Sequence, residues 1–140
     1  MGLGVDDELA GTGRTVADEL LSVHRGYLKE CRSLERIVTV RGLAHITGGG
    51  LLENIPRILP AGCSVEIDTK SWRVPTLFDL LQEKGKVERT EMFRVFNMGI
   101  GMIFIIPAGE ESRLAAGDFR YDPFRVGTVI DGSREVVLKG

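Results

Sequence analysis

Three consecutive glycines, Gly48, Gly49 and Gly50, sit inside the segment LAHITGGGLLENIPR (residues 43–57) and limit the fold more than any other stretch. Glycine loses more backbone freedom on ordering than any other residue, so a run of three resists both helix and strand interiors. β-Branched and apolar residues precede the run, and a helix-compatible stretch, residues 51–59, follows it. The pattern predicts a sharp strand-to-helix turn, with the short helix closed off by Pro60, Ala61 and Gly62.

The remaining elements fall around that turn. Residues 1–14, rich in glycine and acidic side chains, read as a flexible leader or an artificial start, and residues 15–140 as one domain. Thr15 and Asp18 form a capping-box-like pair ahead of a helix predicted to run to about residues 33–36, with Val16, Leu20, Val23, Tyr27, Cys31 and Leu34 on one face. Residues 64–67 read as a strand. Pro75 suits the first turn of a helix carrying Leu77, Phe78, Leu80 and Leu81, and Gly85 ends it. Residues 91–96 fit either an extended or a partly helical segment. Residues 101–107 (GMIFIIP) do not alternate and predict a strand buried on both faces, followed by a brief helix at residues 110–116. Residues 125–130 and 135–138 predict two strands paired as a hairpin around Asp131-Gly132-Ser133. The sum is an α+β domain, a mixed β-sheet packed with helices.

Chemistry concentrates in the glycine turn. Bare N–H groups at a helix start suit an anion. Thr47 can cap the helix or donate to a bound oxygen, and His45 can contact a phosphate or transfer a proton. Asn54, on the following helix, faces either the same space or solvent. The same glycines also permit close helix–sheet packing with His45 as a satisfied core histidine, and periodicity does not choose between the readings. The run lacks the lysine of a Walker loop and the spacing of a GxGxxG turn. Elsewhere, Asn97, Gly99 and Gly101 read as a tight turn ahead of a strand, Arg57 as an exposed helix arginine, and Trp72 and Phe78 as core or interface aromatics. Glu88, Glu91, Glu110 and Glu111 read as a solvated face, and His24 as a surface residue off the apolar stripe.

The wording HITGGG followed by LLENIPRILP resembles the glycine-rich signature of the phosphoribosylformylglycinamidine cyclo-ligases, also called aminoimidazole ribonucleotide synthases. Landmarks continue in the family's order: Trp72 and Pro75 ahead of LFDLLQEKGKV, then EMFRVFNMGIGM (residues 91–102), then RVGTVIDG. The likeness covers the chain from about residue 15 to its end, and its two specific motifs are residues 43–57 and 91–102. Departures occur at Val23-His24, where the family usually has Pro-Thr, and at Gly26, where it has an apolar residue. Residues 110–122 are shorter than the family's usual helix.

The resemblance implies the carboxyl-terminal domain type of the aminoimidazole ribonucleotide synthase superfamily. It also implies a role in closing the imidazole ring of formylglycinamidine ribonucleotide with ATP and Mg2+ in purine biosynthesis. Thr47, Gly48, Gly49, Gly50 and Asn54 would hold the substrate, with His45 as a catalytic candidate. The ATP-binding amino-terminal domain is absent from this sequence, so a chain inactive alone, with no cofactor of its own, is expected. The full-length enzyme would be a cytoplasmic homodimer. An autonomous small-ligand or phosphate-binding domain, a purely structural or assembly domain, and a domain of a relative such as formylglycinamidine synthase are the alternatives.

A formal charge of −2 gives no bulk attraction for nucleic acid or an anionic membrane, and neither is expected as a partner. Cys31 and Cys63 lack the spacing and neighbours of a zinc site or disulfide framework, which predicts reduced thiols and no metal site.

Overall fold

In a computed structural model describing residues 2–140, the chain opens on a small ribbon that pairs β1 (Glu8–Leu9) with β2 (Arg14–Thr15). Residues 1–14 were expected to be a flexible leader. Met1 lies outside the described residues, and from residue 8 the segment is instead tied down. Leu9 is only 3% exposed, and the Thr12 hydroxyl donates to the Leu9 carbonyl at 2.8 Å to close the turn. A groove lined by Leu9, Val16, Leu77 and Leu81 shows what the ribbon packs beside.

The helix expected over residues 15–36 is two helices. α1 (Val16–Leu20) starts as predicted, with the Thr15 hydroxyl accepting from the Asp18 N–H at 3.1 Å. It stops after five residues, and α2 (Leu28–Ile37) begins beyond Gly26. Leu20 and Val23 of the stripe, with Leu21 beside them, are 65%, 94% and 79% exposed, so beyond Val16 the first half of the stripe is largely uncovered. Helices this short depend on tertiary burial, and an interior glycine would cost about 1 kcal/mol more. Only the second half of the stripe meets the core, where Leu34 is buried.

β3 (Gly42–His45) pairs antiparallel with β5 (Met102–Ile105), His45 opposite Met102. β3 then runs through the glycine turn into α3 (Gly50–Asn54), which continues as a 3-10 turn (Ile55–Ile58). α4 (Thr76–Gly85) follows Pro75 and ends where Lys86 adopts a left-handed conformation, and α5 (Arg89–Val95) makes residues 89–95 helical. Leu51, Ile55, Met92 and Phe93 fill the α3–α5 contact together with Ile46 and Ile67. Each such fully buried side chain contributes about 1.5–3 kcal/mol.

The second sheet places β4 (Cys63–Asp68) between β6 (Gly127–Asp131) and β7 (Val136–Lys139), antiparallel to the first and parallel to the second. β6 and β7 are therefore not the predicted hairpin. The connection crosses the start of β4, where the Gly132 and Arg134 N–H groups donate to the Gly62 and Cys63 carbonyls. A Cβ on Gly132 would stand 2.1 Å from the Ser64 Oγ, so only glycine passes this crossing. β5 also differs from expectation: Ile103 is buried, whereas Met102, Phe104 and Ile105 are half-buried. Its outer face borders a cavity of about 470 Å³ between the two sheets rather than a packed layer. The architecture is α+β, with one antiparallel and one mixed sheet.

Candidate functional site

The glycine turn projects from the end of β3. Main-chain pairing holds it up to Ile46, whose N–H donates to the Gly101 carbonyl at 2.9 Å. Beyond that point the chain turns through Gly49 (φ +96°) and Gly50 (φ +53°), left-handed conformations that other residues rarely adopt.

The three glycines do different work. Gly50 is buried against α5, where a Cβ would lie 2.1 Å from the Phe93 carbonyl oxygen and 2.6 Å from that of Phe96. Its N–H is used internally, donating to the Thr47 carbonyl at 3.0 Å. Gly48 is exposed, and a Cβ there would meet no heavy atom within 4 Å. Among the described residues, the N–H groups of Gly48 and Gly49 have no protein acceptor. Two of the three amides are thus available, and the third braces the turn.

Asn54 faces neither solvent nor an open site. It is buried, and its Nδ2 donates to the Gly50 carbonyl at 2.8 Å and the Gly48 carbonyl at 3.2 Å, with the Thr47 carbonyl at 3.4 Å. Arg57 Nη1 completes the arrangement by donating to Asn54 Oδ1 at 3.2 Å. By holding the carbonyls inward, Asn54 leaves the opposite faces of the peptide units outward. Thr47 is exposed at the same corner. Glu53 brings a carboxylate near Gly49, and Arg94 offsets its charge at 3.3 Å.

His45 is an exposed residue, not a core histidine. His24 meets it edge-on with ring centroids 5.4 Å apart, and Tyr27 lies at 6.2 Å. Tyr121 continues the group 6.0 Å from Tyr27, with the Arg25 guanidinium 4.8 Å above its ring. Burial raises the Tyr27 phenol above its ordinary range, and the Arg25 charge opposes that rise. His24, read from sequence as a plain surface residue, is exposed but belongs to this aromatic corner.

The other readings resolve as local structure. Gly99 (φ +94°) turns the chain where a Cβ would reach 2.6 Å from Pro75 Cδ, and the Asn97 side chain accepts from the Gly99 N–H at 2.9 Å. Trp72 packs against the core and donates to the Met98 carbonyl at 3.0 Å, and Phe78 packs there too. Glu91 pairs with Arg94, Glu110 with Arg113 and Glu111 with Arg125. Cys31 and Cys63 are free thiols. Among the described residues, no helix is long and apolar enough to cross a membrane.

Sequence reasoning passed over Glu30. This carboxylate is 4% exposed, Oε1 accepts from the N–H groups of Arg120 (3.0 Å) and Tyr121 (3.2 Å), and Oε2 has no partner among the described residues. A signal was present: Glu30 lies three residues after Tyr27 and four before Leu34, so it sits on the apolar stripe of α2.

With this geometry in place, comparison with known proteins adds identity. The family model described as AIR synthase related protein, C-terminal domain, matches residues 2–139. The chain is 54% identical over 114 residues to the phosphoribosylformylglycinamidine cyclo-ligase of Citrifermentans bemidjiense, covering 81% of this chain and 33% of that protein. It is 54% identical over 110 residues to that of Geotalea daltonii, covering 79% and 32%. The likeness to that of Syntrophotalea carbinolica extends over 137 residues at 37% identity, covering 96% and 39%. The chain therefore spans about a third of the length of the curated relatives it matches most strongly.

Proposed function

The chain belongs to the AIR synthase related protein family, as its C-terminal domain, and from that premise we propose that it is the substrate-holding domain of a phosphoribosylformylglycinamidine cyclo-ligase. The full reaction closes the imidazole ring of formylglycinamidine ribonucleotide. ATP with Mg2+ supplies the phosphoryl group that activates the amide oxygen, and a nitrogen of the same substrate then attacks that carbon as phosphate leaves.

This chain's part is orientation. The N–H groups of Gly48 and Gly49, with the Thr47 hydroxyl, grip the ribonucleotide phosphate, a task that backbone donors perform without net positive charge. His45, beside them, contacts the substrate or transfers a proton during ring closure. Gly50 and Asn54 act behind the contact surface, keeping the turn's amides outward. Fixing substrate against the activated oxygen is the kind of positioning that lowers a barrier by several kcal/mol.

One observation carries the reading: among the described residues, two amides of a left-handed turn lack protein acceptors at an exposed corner. His45, Thr47 and Gly48 are exposed at this corner, which supports its completion by the remainder of the family's polypeptide. Within the whole enzyme, a cytoplasmic homodimer is the expected setting.

Ligand titrations and an activity assay test the assignment. The 140-residue chain alone should neither consume ATP nor form aminoimidazole ribonucleotide, whereas the chain joined to the amino-terminal part of the Citrifermentans bemidjiense relative should do both. Gly48→Asp has room for its side chain yet puts a negative charge on the turn, and should abolish turnover in the joined protein while leaving its melting temperature unchanged. Turnover by the isolated chain, or an active Gly48→Asp protein, refutes the proposal. Calorimetric binding of inorganic phosphate that is lost in Gly48→Asp, with no response to the ribonucleotide, would instead favour an autonomous phosphate-binding domain.

A further inference from the structure

The chain has two histidines, far apart in sequence, and the fold sets their rings side by side. His45 is the last residue of β3, and His24 lies in the run between α1 and α2. The ring centres are 5.4 Å apart and the planes stand at 86°. Two imidazoles that share one ion at about 2.0–2.1 Å from each nitrogen, at a roughly tetrahedral angle, have centres about 5 Å apart. Perpendicular planes agree with such sharing, because an ion fixes the direction of each nitrogen and not the rotation of the ring about it.

The surroundings of His24 point the same way. Its Nδ1 lies 2.9 Å from the Arg25 carbonyl oxygen. A carbonyl only accepts, so Nδ1 carries the proton, and Nε2 of the neutral ring keeps its lone pair. Metal-binding histidines are oriented by this kind of bond, made by the ring nitrogen that does not touch the ion. Tyr27 packs against both rings, 6.4 Å from His24 and 6.2 Å from His45, which restricts the movement of each. Both histidines are exposed, and among the described residues neither is paired with a carboxylate. The neighbouring cation, Arg25, is drawn off over the Tyr121 ring.

We propose that His24 and His45 form a site for a divalent transition-metal ion of the zinc, nickel and copper class. The ion is held by Nε2 of His24 and one ring nitrogen of His45, and imidazole is a ligand that suits these metals. Among the described residues, no group of three or more histidine, cysteine, aspartate or glutamate side chains could hold a metal. The site is therefore a two-histidine one whose remaining positions go to solvent, an exchangeable site and not a closed structural centre. It meets the proposed substrate corner only through His45, and it does not depend on what that corner holds.

Titration of the 140-residue chain with zinc chloride, followed by NMR of the histidine ring C–H signals, tests the proposal. With two histidines in the chain, each ring is read separately. Both should shift along one binding curve that saturates at one ion per chain. His24→Gln and His45→Gln should each weaken binding by about 100-fold, because a lone imidazole loses the gain of holding the ion from two sides. Both positions are exposed, so the variants should keep the parent's melting temperature. Zinc held by Cys31 or Cys63 instead would leave both ring signals in place. That result, a shift of one ring alone, separate affinities for the two rings, or single variants that bind as tightly as the parent each overturn the proposal.

Discussion

Gly48 and Gly50 stand two residues apart, yet substitution should separate them widely. Alanine at Gly50 meets the Phe93 carbonyl at 2.1 Å and must also hold φ near +53°. Overpacking and left-handed strain together should destabilise the fold by about 2–4 kcal/mol. Alanine at Gly48 points into open space and should stay within about 0.5 kcal/mol. Urea denaturation of the two variants checks this, and similar midpoints would show that the turn is not braced as described. Asn54 makes a related test. Asn54→Ala removes the donor from the Gly50 and Gly48 carbonyls and should lose about 1–3 kcal/mol. Hydrogen exchange at Gly50 should accelerate with it, because the turn loses its inner clamp. The division among the glycines was illegible in sequence, since the residues that exclude a side chain at position 50 belong to α5, some forty positions on. Glu30 was legible in principle, as a charged residue on an apolar stripe.

Among the elements, the 3-10 segment after β5 is tied back through Glu110, whose carboxylate accepts from the Thr39 N–H at 2.5 Å and the Thr39 hydroxyl at 3.2 Å. The backbone hydrogen bond from Thr39 is the main reason its carboxyl is held below the ordinary carboxylate range, with Arg113 and Arg41 adding to it. A depressed folded-state pKa means that the stabilisation is present above the unfolded-state value and is lost as pH falls through the folded one. Glu110→Gln should therefore melt below the parent at neutral pH, and the two melting curves should converge only on acidification to below the ordinary carboxylate range. A gap that persists at low pH would assign the effect to packing. Elements whose signals are local were readable beforehand: the Thr15 cap, the Pro75 helix start, the glycine turn and the β5 run all sit where the sequence puts them. The helix over residues 15–36 and the β6–β7 hairpin were not. Each depended on what packs beside it, and β4 inserts between two strands that a short turn would otherwise pair. Periodicity reports which residues can share a face, and it is silent on whether anything covers that face.

At the scale of the molecule, the uncovered stripe is the feature that needs a partner. Leu20, Leu21 and Val23 lead directly into His24, which meets His45 edge-on, so an apolar strip adjoins the proposed substrate corner. The relatives are about three times as long as this chain, and under the proposed function the part of their sequence that it does not match is the occupant tested for this surface. Burying Leu21 and Val23 would contribute about 1.5–3 kcal/mol each. Replacing both by glutamate should cut association with the separately produced amino-terminal part of the Citrifermentans bemidjiense relative by at least about 100-fold, measured by analytical ultracentrifugation. The double variant should keep the parent's melting temperature, because neither side chain contributes to the core of the chain alone. The same docking should lengthen α1 across residues 21–26, since a covered stripe restores the burial that a helix there lacks. Amides 21–26 should then exchange rapidly in the isolated chain and slowly in the complex. Unchanged association in the double variant, or no added protection, would mean that the stripe is not where the amino-terminal part of the relative docks.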